Sequence, residues 1–492
     1  MLRFQSSSIM TNQDILVVLP EIVIALMACF ILVLDLYLPA TKKKKVGYGL
    51  SLVTLMVGAG LSIVYSEPAP VYGLNGLVLM DSLSAILKVG ICISTGFVLV
   101  YSRGYADVRG LWKGEFFALA LFGVVGMMVM TASNHLLSLY VGLELLALCL
   151  YTMVALRIDS TAASEAAMKY FVLGALASGI LLYGISLLYG LTGTLYINEL
   201  SVSIVRQDGS MLPRTMALIL VLVGLLFKMG AVPFHMWVPD VYEGSPTSST
   251  VYLATAPKLA GFAIILRLLA DGLESLATEW QGMLLVVSII SLALGNIIAI
   301  AQSNIKRMLA YSAIAHVGFF LLGILTGEAS GYASAMAYIL IYAAVTLGAF
   351  GVILALSSEG VEADLIEDYS GLNQSHPWAA FIMLLLMFSL AGIPPTIGFY
   401  AKLSVLQAVV NAGMTWVAVV AVVLSVIGAF YYLRIVKVMY FDDLATSHSG
   451  LQFSPKQDAR ILLTINGLAV VVLMPWIGKL TTLCEGAIGV LF

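Results

Sequence analysis

Long apolar stretches alternate with short polar ones along almost the whole chain. A helix needs about 20 apolar residues to cross the hydrocarbon core of a bilayer. By that measure we predict about fourteen spans, at 15–38, 46–65, 79–102, 115–133, 135–156, 165–190, 214–236, 247–270, 282–302, 306–326, 333–357, 378–411, 414–438 and 459–478. Because helices satisfy their own backbone hydrogen bonds in lipid, the pattern predicts an all-α polytopic membrane protein with residues 1–492 in a single membrane domain.

The composition supports a membrane protein and excludes other classes. Hydrophobic residues make up 61% and charged residues only 10%, with a mean hydropathy of +1.02, whereas a soluble protein carries about 25% charged residues. The net charge of −3 gives no indication of nucleic-acid binding. The four cysteines have no metal or redox spacing, which predicts no metal and no iron–sulfur cluster in this chain. No small-residue cleavage site follows the first apolar run, so 15–38 is predicted to be retained.

Lysine and arginine are unequally distributed between the two sides of the predicted membrane. If successive loops alternate in side, fourteen fall on one side and four on the other. The majority are Lys42, Lys43, Lys44, Lys45, Arg103, Arg109, Lys113, Arg157, Lys306, Arg307, Arg434, Lys437, Lys456 and Arg460, and the minority are Arg3, Arg206, Arg214 and Lys479. Cytoplasmic loops carry the excess of these residues. The majority side is therefore predicted to be cytoplasmic, with both termini outside.

Three short matches recur in the same order in the two halves of the chain. Residues 167–170 match 335–338, residues 227–233 match 388–394, and residues 258–267 match 425–434, at offsets of 168, 161 and 167 residues. Together they predict two five-span units, at 115–270 (spans 4–8) and 282–438 (spans 9–13). Five is odd, so the second unit starts from the opposite side. Inverted repeats of this kind are typical of transporters.

The seventh predicted span contains features that an ordinary span lacks. Lys228 lies in its apolar run, a Gly-Ala-Val-Pro step ending at Pro233 follows, and His235 comes next. Proline lacks the N–H group and clashes one turn back, so the helix is predicted to break there. The corresponding Pro394 and Pro395 predict a break in span 12. Irregular backbone survives in lipid only where protein or water satisfies it, which favours an ion site at a broken helix.

Further titratable side chains lie inside the predicted spans, where a charge costs about 2.5–3.5 kcal/mol on insertion scales. The candidates for proton transfer are Glu144, Lys228, Lys258 and Lys402, and the supporting candidates are Lys169, His235 and His316. Glu144 and Lys228 could instead form a structural ion pair, and His316 could be a core histidine with satisfied hydrogen bonds. Lysines outnumber acids, so not every lysine can be paired. Burial disfavours the charged form of an unpaired lysine, which suits reversible proton carriage.

Three charged residues near the start of the chain are less informative. Lys88 follows Asp81 by seven residues and lies outside both predicted units. It could extend to the membrane surface, or pair with Asp81 two turns back. Glu21 is predicted to anchor the end of the first span.

The ordered set of motifs resembles the antiporter-like membrane subunits of respiratory complex I, the proton-translocating NADH–quinone oxidoreductase. The resemblance covers essentially the whole chain and is most similar to the bacterial N type. The matching pieces are Glu144, Lys228 to His235, Trp237 to Asp240, Tyr242 to Thr247, Ala256 to Lys258, and Ser389 to Lys402, together with the opening Leu19-Pro20-Glu21.

The resemblance implies roles for these side chains. Glu144 and Lys228 would form the paired charge of the input half-channel, and Lys258 would be the central carrier, linked through His235 or His316. Lys402 would be the outlet carrier. Lys169 would modulate Glu144 or pair with a neighbouring subunit.

The resemblance also implies a cellular setting. The chain would lie in the bacterial inner membrane beside the M-type antiporter-like subunit, the small K-, J- and A-type subunits and the lateral helix of the L-type subunit. NADH, flavin, iron–sulfur clusters and quinone would be bound by partner subunits. Two other functions remain open: a subunit of a multi-subunit cation/proton antiporter without a redox partner, and a passive scaffold that conducts no protons.

Overall fold

A computed structural model describes residues 12–66, 69–206, 211–357, 362–443, 453 and 455–489. The chain is almost entirely helical there, apart from one short β-hairpin. Arg3 and both termini lie outside the described residues, so the predicted side of the termini stays a prediction.

The first part of the chain contains four helices and the hairpin. These elements are α1 (Asn12–Val17), α2 (Leu19–Tyr37), α3 (Ala40–Val64), β1 (Val71–Gly73), β2 (Val78–Met80) and α4 (Ser82–Val108). The strands pair antiparallel, with Val71 opposite Met80. Asp81 then starts α4 as its N-cap, because its carboxylate accepts the Ser84 N–H at 2.8 Å.

The next eight helices are called the first unit. They are α5 (Gly114–Ala132), α6 (Leu136–Val154), α7 (Thr161–Thr192), α8 (Ile197–Val205), α9 (Met211–Met229), α10 (Trp237–Gly244), α11 (Thr247–Ala254) and α12 (Ala256–Leu266). A π-helical turn, Arg267–Gly272, follows α12. Sequence analysis predicted the interruption between α9 and α10, but not the one at Thr255 between α11 and α12, although Pro257 lies in the first turn of α12.

The following seven helices are called the second unit. They are α13 (Ala277–Ile300), α14 (Ile305–Leu325), α15 (Ala329–Leu356), α16 (Leu372–Ser375), α17 (Pro377–Ala391), α18 (Ile397–Asn411) and α19 (Thr415–Phe441). The chain continues with α20 (Gln457–Val472) and α21 (Ile477–Ile488).

The described residues contain twelve helices long and apolar enough to cross a membrane, or thirteen if the bent pair α20 and α21 counts as one. The prediction of a polytopic helical membrane protein is therefore confirmed. Close packing of small residues joins the helices. A Cβ on Gly126 would lie 2.7 Å from the Gly142 carbonyl, and a Cβ on Gly295 would lie 2.8 Å from the Tyr311 carbonyl. Such small residues are typical of helix contacts in membranes.

Ion pairs gather at one end of the helices, here called the ion-pair face. The pairs are Lys44–Asp107, Lys456–Asp107, Arg103–Asp458, Arg109–Glu362 and Lys306–Asp364. Many of the cations predicted to share the cytoplasmic side therefore do lie at one end. In the loop at this face, burial raises the pKa of the Asp364 carboxyl, although Lys306 lies 3.1 Å away.

The opposite end of the helices is here called the hairpin face and carries β1, β2 and Asp81. Helix α4 runs from this face at Ser82 to the ion-pair face at Val108. Its 27 residues rise about 40 Å, enough to cross a bilayer.

Candidate functional site

The first break separates α9 from α10. Helix α9 ends at Met229, Gly230 takes the left-handed conformation with φ 76°, and the Val232–Pro233 bond is cis. Side chains satisfy part of the interrupted backbone: Ser291 accepts the Val232 N–H at 3.0 Å, and the Trp237 indole donates to the Phe227 carbonyl at 2.9 Å. Protein groups thus support the irregular segment, as a break inside a membrane requires.

The second break separates α17 from α18 in the same way. Helix α17 ends at Ala391, Gly392 is left-handed with φ 81°, and the Pro394–Pro395 bond is cis. Left-handed backbone favours glycine, so the two glycines mark equivalent points. Their offset is 162 residues, one more than the ungapped sequence match suggested. That match was out of register because it aligned Pro233 with Pro394 and paired Gly230 with Ala391.

Each break presents a backbone carbonyl to a lysine. Lys258 is only 3% exposed, and its Nζ donates to the Met229 carbonyl at 2.6 Å. The Lys402 Nζ donates to the Ala391 carbonyl at 2.9 Å and to the Ser425 hydroxyl at 3.0 Å. Met229 and Ala391 each precede the left-handed glycine directly. The two ammonium groups therefore occupy equivalent places, although Lys258 comes from α12 and Lys402 from α18.

Sequence comparison already linked Lys258 to Ser425, since 258–267 matches 425–434. The structure explains this pairing in space. In the second unit Ser425 contacts the ammonium group that Lys402 brings from a different helix.

Lys228 lies in the last turn of α9 and shares a cavity of about 40 Å³ with Lys258. Tyr170 and Trp237 also line this cavity, and their rings stack with centroids 4.6 Å apart. The cavity has room for a few water molecules. No carboxylate is among its lining residues in the described part of the chain. Two lysines thus face one small space without an acid between them.

Glu144 lies on α6 near this cavity but does not line it. Its Oε1 is buried, with no hydrogen-bond partner in the described part of the chain. Its charge interacts with that of Lys228, yet no direct ion pair within 4.0 Å joins these two described residues. Its neighbours on the same helix face, Val141 and Leu148, are 63% and 55% exposed. Glu144 is thus close to both Lys228 and an outer surface of the isolated chain.

Lys169 pairs with acids other than Glu144, and its predicted modulation of Glu144 stays a prediction. Its Nζ lies 2.8 Å from both Glu165 and Asp240. Asp240 also pairs with Arg307 of α14 at 2.8 Å. The reason is that α10 packs between α7 and α14, so its acid is nearer to Lys169 than Glu144 is. Lys169 therefore takes part in a network that joins the two units.

The two histidines differ in their relation to the lysines. His235 lies within the first break, and it does not line the cavity of Lys228 and Lys258. His316 is buried on α14, where Nδ1 lies 2.6 Å from the Tyr338 hydroxyl and Nε2 lies 3.1 Å from the Tyr432 hydroxyl. It lines two small cavities of about 10 Å³ each together with Lys402. His316 is therefore placed beside Lys402 rather than beside Lys258.

Sequence analysis missed several polar groups around the lysines. Tyr170 and Tyr338 occupy matching positions in the 167–170 and 335–338 segments and face the lysine cavities of their own units. That match was the available signal. No signal in the sequence singled out Tyr432, because a tyrosine in an apolar run is usually part of the core.

The charges near the start of the chain pair differently from the prediction. Lys88 lies 2.7 Å from Glu21, and both side chains are buried. Asp81 instead binds Arg267. The pairing of Lys88 with Asp81 was wrong because the Asp81 carboxylate turns back to cap α4. Glu21 is not a surface anchor, since it is only 6% exposed.

Among the described residues, no cluster of three or more His, Cys, Asp or Glu side chains could hold a metal ion. A larger cavity of about 350 Å³ lies at the ion-pair face between α4, α15 and α20, and contains none of the candidate lysines.

Known proteins are similar to this chain in sequence and in fold. The family described as "NADH:quinone oxidoreductase/Mrp antiporter, TM" matches residues 133–428. Subunit N of the NADH-quinone oxidoreductase of Thiobacillus denitrificans is 55% identical over 476 residues, covering 96% of this chain and 97% of that protein. The same subunit from Thioalkalivibrio sulfidiphilus is 54% identical over 477 residues, covering 96% and 98%.

Two solved structures show the same architecture. A chain of respiratory complex I from Thermus thermophilus with bound aureothin aligns with a TM-score of 0.78 and 30% identity, covering 94% of this chain and 98% of that one. A chain of the Mrp complex from Dietzia aligns with a TM-score of 0.84 and 20% identity, covering 98% and 97%. The second similarity concerns the fold alone.

Proposed function

We propose, from the premise that this chain belongs to the NADH:quinone oxidoreductase/Mrp antiporter membrane family, that it carries protons across the membrane as the N-type subunit of an NADH–quinone oxidoreductase. The resemblance found in the sequence is confirmed by relatives that are 55% and 54% identical over nearly their full length. The alternative of a cation/proton antiporter is less well supported, since the Mrp chain is only 20% identical.

The finer architecture is also a proposal. Helices α17 and α18 together form one broken span, which with the bent pair α20 and α21 brings the number of spans to fourteen. Two inverted units occupy 115–270 and 282–438, with breaks in spans 7 and 12. The equivalent left-handed glycines and the equivalent lysine–carbonyl contacts support this repeat. So does the direction of α5 and α13: α5 ends beside the hairpin at Ser133, whereas α13 ends near the ion-pair face.

The observation that carries the function is the pair of buried ammonium groups at the two broken helices. The carbonyl end of a helix attracts a cation, whereas burial favours the neutral amine. These two effects oppose each other at Lys258 and at Lys402. A small change in nearby charge is therefore enough to load or release a proton at either lysine.

The side chains form an ordered path in this proposal. A change of charge outside the chain acts on Glu144 at the outer surface of α6. Glu144 in turn alters the protonation of Lys228. Lys228 repels a second cation in their shared cavity and so drives the proton from Lys258. Water in the small cavities beside His316 and Lys402 completes the transfer, and Lys402 releases the proton outward. Lys169 tunes the network that joins the units, and His235 lies at the first break as a supporting group.

The surroundings follow from the same proposal. The ion-pair face is cytoplasmic and the termini lie on the outer side of the bacterial inner membrane. Partner subunits of the M, K, J and A types and the lateral helix of the L-type subunit pack against this chain. They or the peripheral subunits hold quinone, NADH, flavin and iron–sulfur clusters, and this chain holds none.

The test replaces Lys228 or Lys258 with Ala in the assembled complex. Proton uptake and quinone reduction are measured in vesicles, with the exposed Lys437→Ala variant as the matched control. We expect both buried variants to lose proton uptake and the control to keep it. Normal pumping by assembled Lys228→Ala and Lys258→Ala complexes would contradict the proposal and favour the passive scaffold.

A further inference from the structure

One arginine binds the end of the first long helix in each unit. The Arg267 Nε donates to the Thr131 carbonyl in the last turn of α5 at 2.8 Å. In the second unit, Arg434 donates to the Ile300 carbonyl at the end of α13 at 3.2 Å and to the Gln302 carbonyl at 2.9 Å. The two arginines match in the sequence repeat as well. Neither has a role in the path from Glu144 to Lys402.

In the first unit, Arg267 also binds an acid, Asp81. The Arg267 Nη2 reaches both carboxylate oxygens of Asp81, at 2.9 and 3.0 Å, and the two side chains are 1% and 0% exposed. Ser84 donates a further backbone hydrogen bond to the same carboxylate. Asp271, in the π-helical turn, is the other acid whose charge reaches Arg267. A single nitrogen thus contacts both oxygens, and hydrogen bonds between charged groups are shorter and stronger than those between neutral groups.

The two arginines lie at opposite faces of the protein. Arg267 lies beneath the hairpin face, as its two partners show. Asp81 directly precedes α4, and Thr131 lies in the last turn of α5. Arg434 lies near the ion-pair face, since Ile300 is followed by Lys306 and its partner Asp364. Nine residues separate Lys258 from Arg267, a rise of about 14 Å along a helix. Arg267 is therefore beyond the central lysine, on the side away from the ion-pair face.

Neither member of the Asp81–Arg267 pair suits proton transfer. A guanidinium group is not deprotonated in proteins, and its fixed positive charge repels an approaching proton. The Asp81 carboxylate is held in its ionised form by donors on both sides. The pair therefore forms a fixed, charged closure where a path through the first unit would otherwise continue to the hairpin face.

We propose that Arg267 with Asp81 seals the first unit at the hairpin face, and that Arg434 is the equivalent seal of the second unit at the ion-pair face. This inference rests on the proposed function. With both seals in place, a proton from Lys258 leaves the chain only by passing to Lys402. Asp81, Arg267 and Arg434 are positioning groups that set the route and do not carry the proton.

The test removes both charges of the first seal together, as Asp81→Asn with Arg267→Gln, so that no unpaired charge remains buried. The matched control is Glu21→Gln with Lys88→Gln, which neutralises a second buried pair that touches no lysine of the path. Passive proton influx is measured in vesicles holding the complex, under an imposed potential and without NADH. We expect influx to rise several-fold in the seal variant and to stay at the wild-type level in the control, with quinone reduction retained in both.

The route of the leak is then tested by a third substitution. Adding Lys402→Ala to the seal variant is expected to leave the leak, because protons bypass the second unit. Adding Lys258→Ala is expected to suppress it. A leak equal to that of the control, or one that Lys402→Ala abolishes, would overturn the seal.

Two further measurements keep the outcome decisive. If the double variant does not assemble, Asp81→Ser with Arg267→Met replaces it, because both charges are again removed and serine can still cap α4. Wild-type influx in that variant would then overturn the seal. Lys258→Ala and Lys402→Ala without the seal variant report on the proposed function separately. Loss of pumping in those variants together with no leak in the seal variant rejects only the seal.

Discussion

In the first unit, the ammonium group beside the left-handed glycine comes from α12, three helices further along the chain, whereas in the second unit it comes from α18, which directly follows that glycine. Lys258 reaches the Met229 carbonyl from α12, and Lys402 reaches the Ala391 carbonyl from α18. The sequence positions differ, but the place of the charge does not. The comparison teaches that the backbone break defines the site, and that a lysine can occupy it from either neighbouring helix.

The surroundings of the two ammonium groups differ more than their acceptors do. Lys258 shares its cavity with a second lysine, Lys228. Lys402 has the hydroxyl of Ser425, the ring of Phe319 at 5.1 Å and the neutral-capable His316 nearby. Repulsion from another cation suits a carrier that must give up its proton. Polar and aromatic neighbours suit a carrier that must accept one.

The largest expected effect comes from replacing Lys258 or Lys402 with Arg. Arginine keeps the positive charge but does not release its proton, so each variant should stop proton transfer through this chain. We expect a loss on the order of 100-fold in the transfer step, the lower range for a missing acid–base group. The measurement is the number of protons taken up per NADH oxidised in vesicles. If Arg sustains normal uptake at either site, that lysine is structural and the two sites are not alike.

The next test moves the lysine of the second unit from α18 to α19. In the sequence match, α19 corresponds to α12, the helix that carries Lys258 in the first unit. In the variant Lys402→Ala with Ser425→Lys, the ammonium group would again reach the Ala391 carbonyl, but from α19. We expect partial recovery of proton uptake relative to Lys402→Ala alone. A variant that assembles and recovers no uptake would show that the helix of origin matters as much as the site.

Substitution at the two left-handed glycines should separate structure from transport. Gly230→Ala and Gly392→Ala each place a side chain in left-handed backbone, which costs roughly 1–2 kcal/mol. The new Cβ would meet Val238 at 2.5 Å in the first case and the Lys402 stem at 2.8 Å in the second. We expect Gly230→Ala mainly to lower the thermal stability of the complex, and Gly392→Ala mainly to lower proton uptake. Equal effects of both variants on both quantities would contradict this distinction.

The smallest expected effect is that of Ser425→Ala. It removes one hydrogen bond to the Lys402 ammonium group, and a bond to a charged group contributes about 1.5–3 kcal/mol. The carbonyl contact remains, so we expect the effect to lie at the lower end of that range, a fall in proton uptake of about tenfold. Ser404→Ala is the matched control, because Ser404 donates to the Ala401 carbonyl on the same helix and contacts no lysine. A loss as severe as that of Lys402→Arg would make Ser425 a member of the proton path itself.

The sequence was sufficient to find the prolines in the apolar runs and the charges. Pro233 and Pro395 interrupt apolar runs, and Lys228, Lys258 and Lys402 lie in segments where charges are costly. Both signals are local, because they depend on a residue and its immediate neighbours along the chain. Three weak matches in one order also predicted a repeat, which stays a proposal.

The side-chain partners could not be predicted in this way. Lys88 on α4 pairs with Glu21 on α2, and Lys169 on α7 pairs with Asp240 on α10, so each lysine finds an acid on another helix. Which acid comes within reach is a property of the folded chain rather than of spacing along the sequence. The interruption at Thr255 was also missed. The sequence shows Pro257 beside it, but not that Thr255 takes φ −123° and ψ −85° in the folded chain.

The ion pairs of α20 have a consequence for the synthesis of the chain. Asp458 accepts a hydrogen bond from Arg103 and Lys456 pairs with Asp107, so the last part of the chain supplies partners for charges on α4. Helix α20 also packs against α4, α15 and α17. During synthesis of the chain, these charges on α4 have no such partners until residues more than 300 positions later have been made. A chain that stops before α20 would therefore leave these charges and helix faces without these partners.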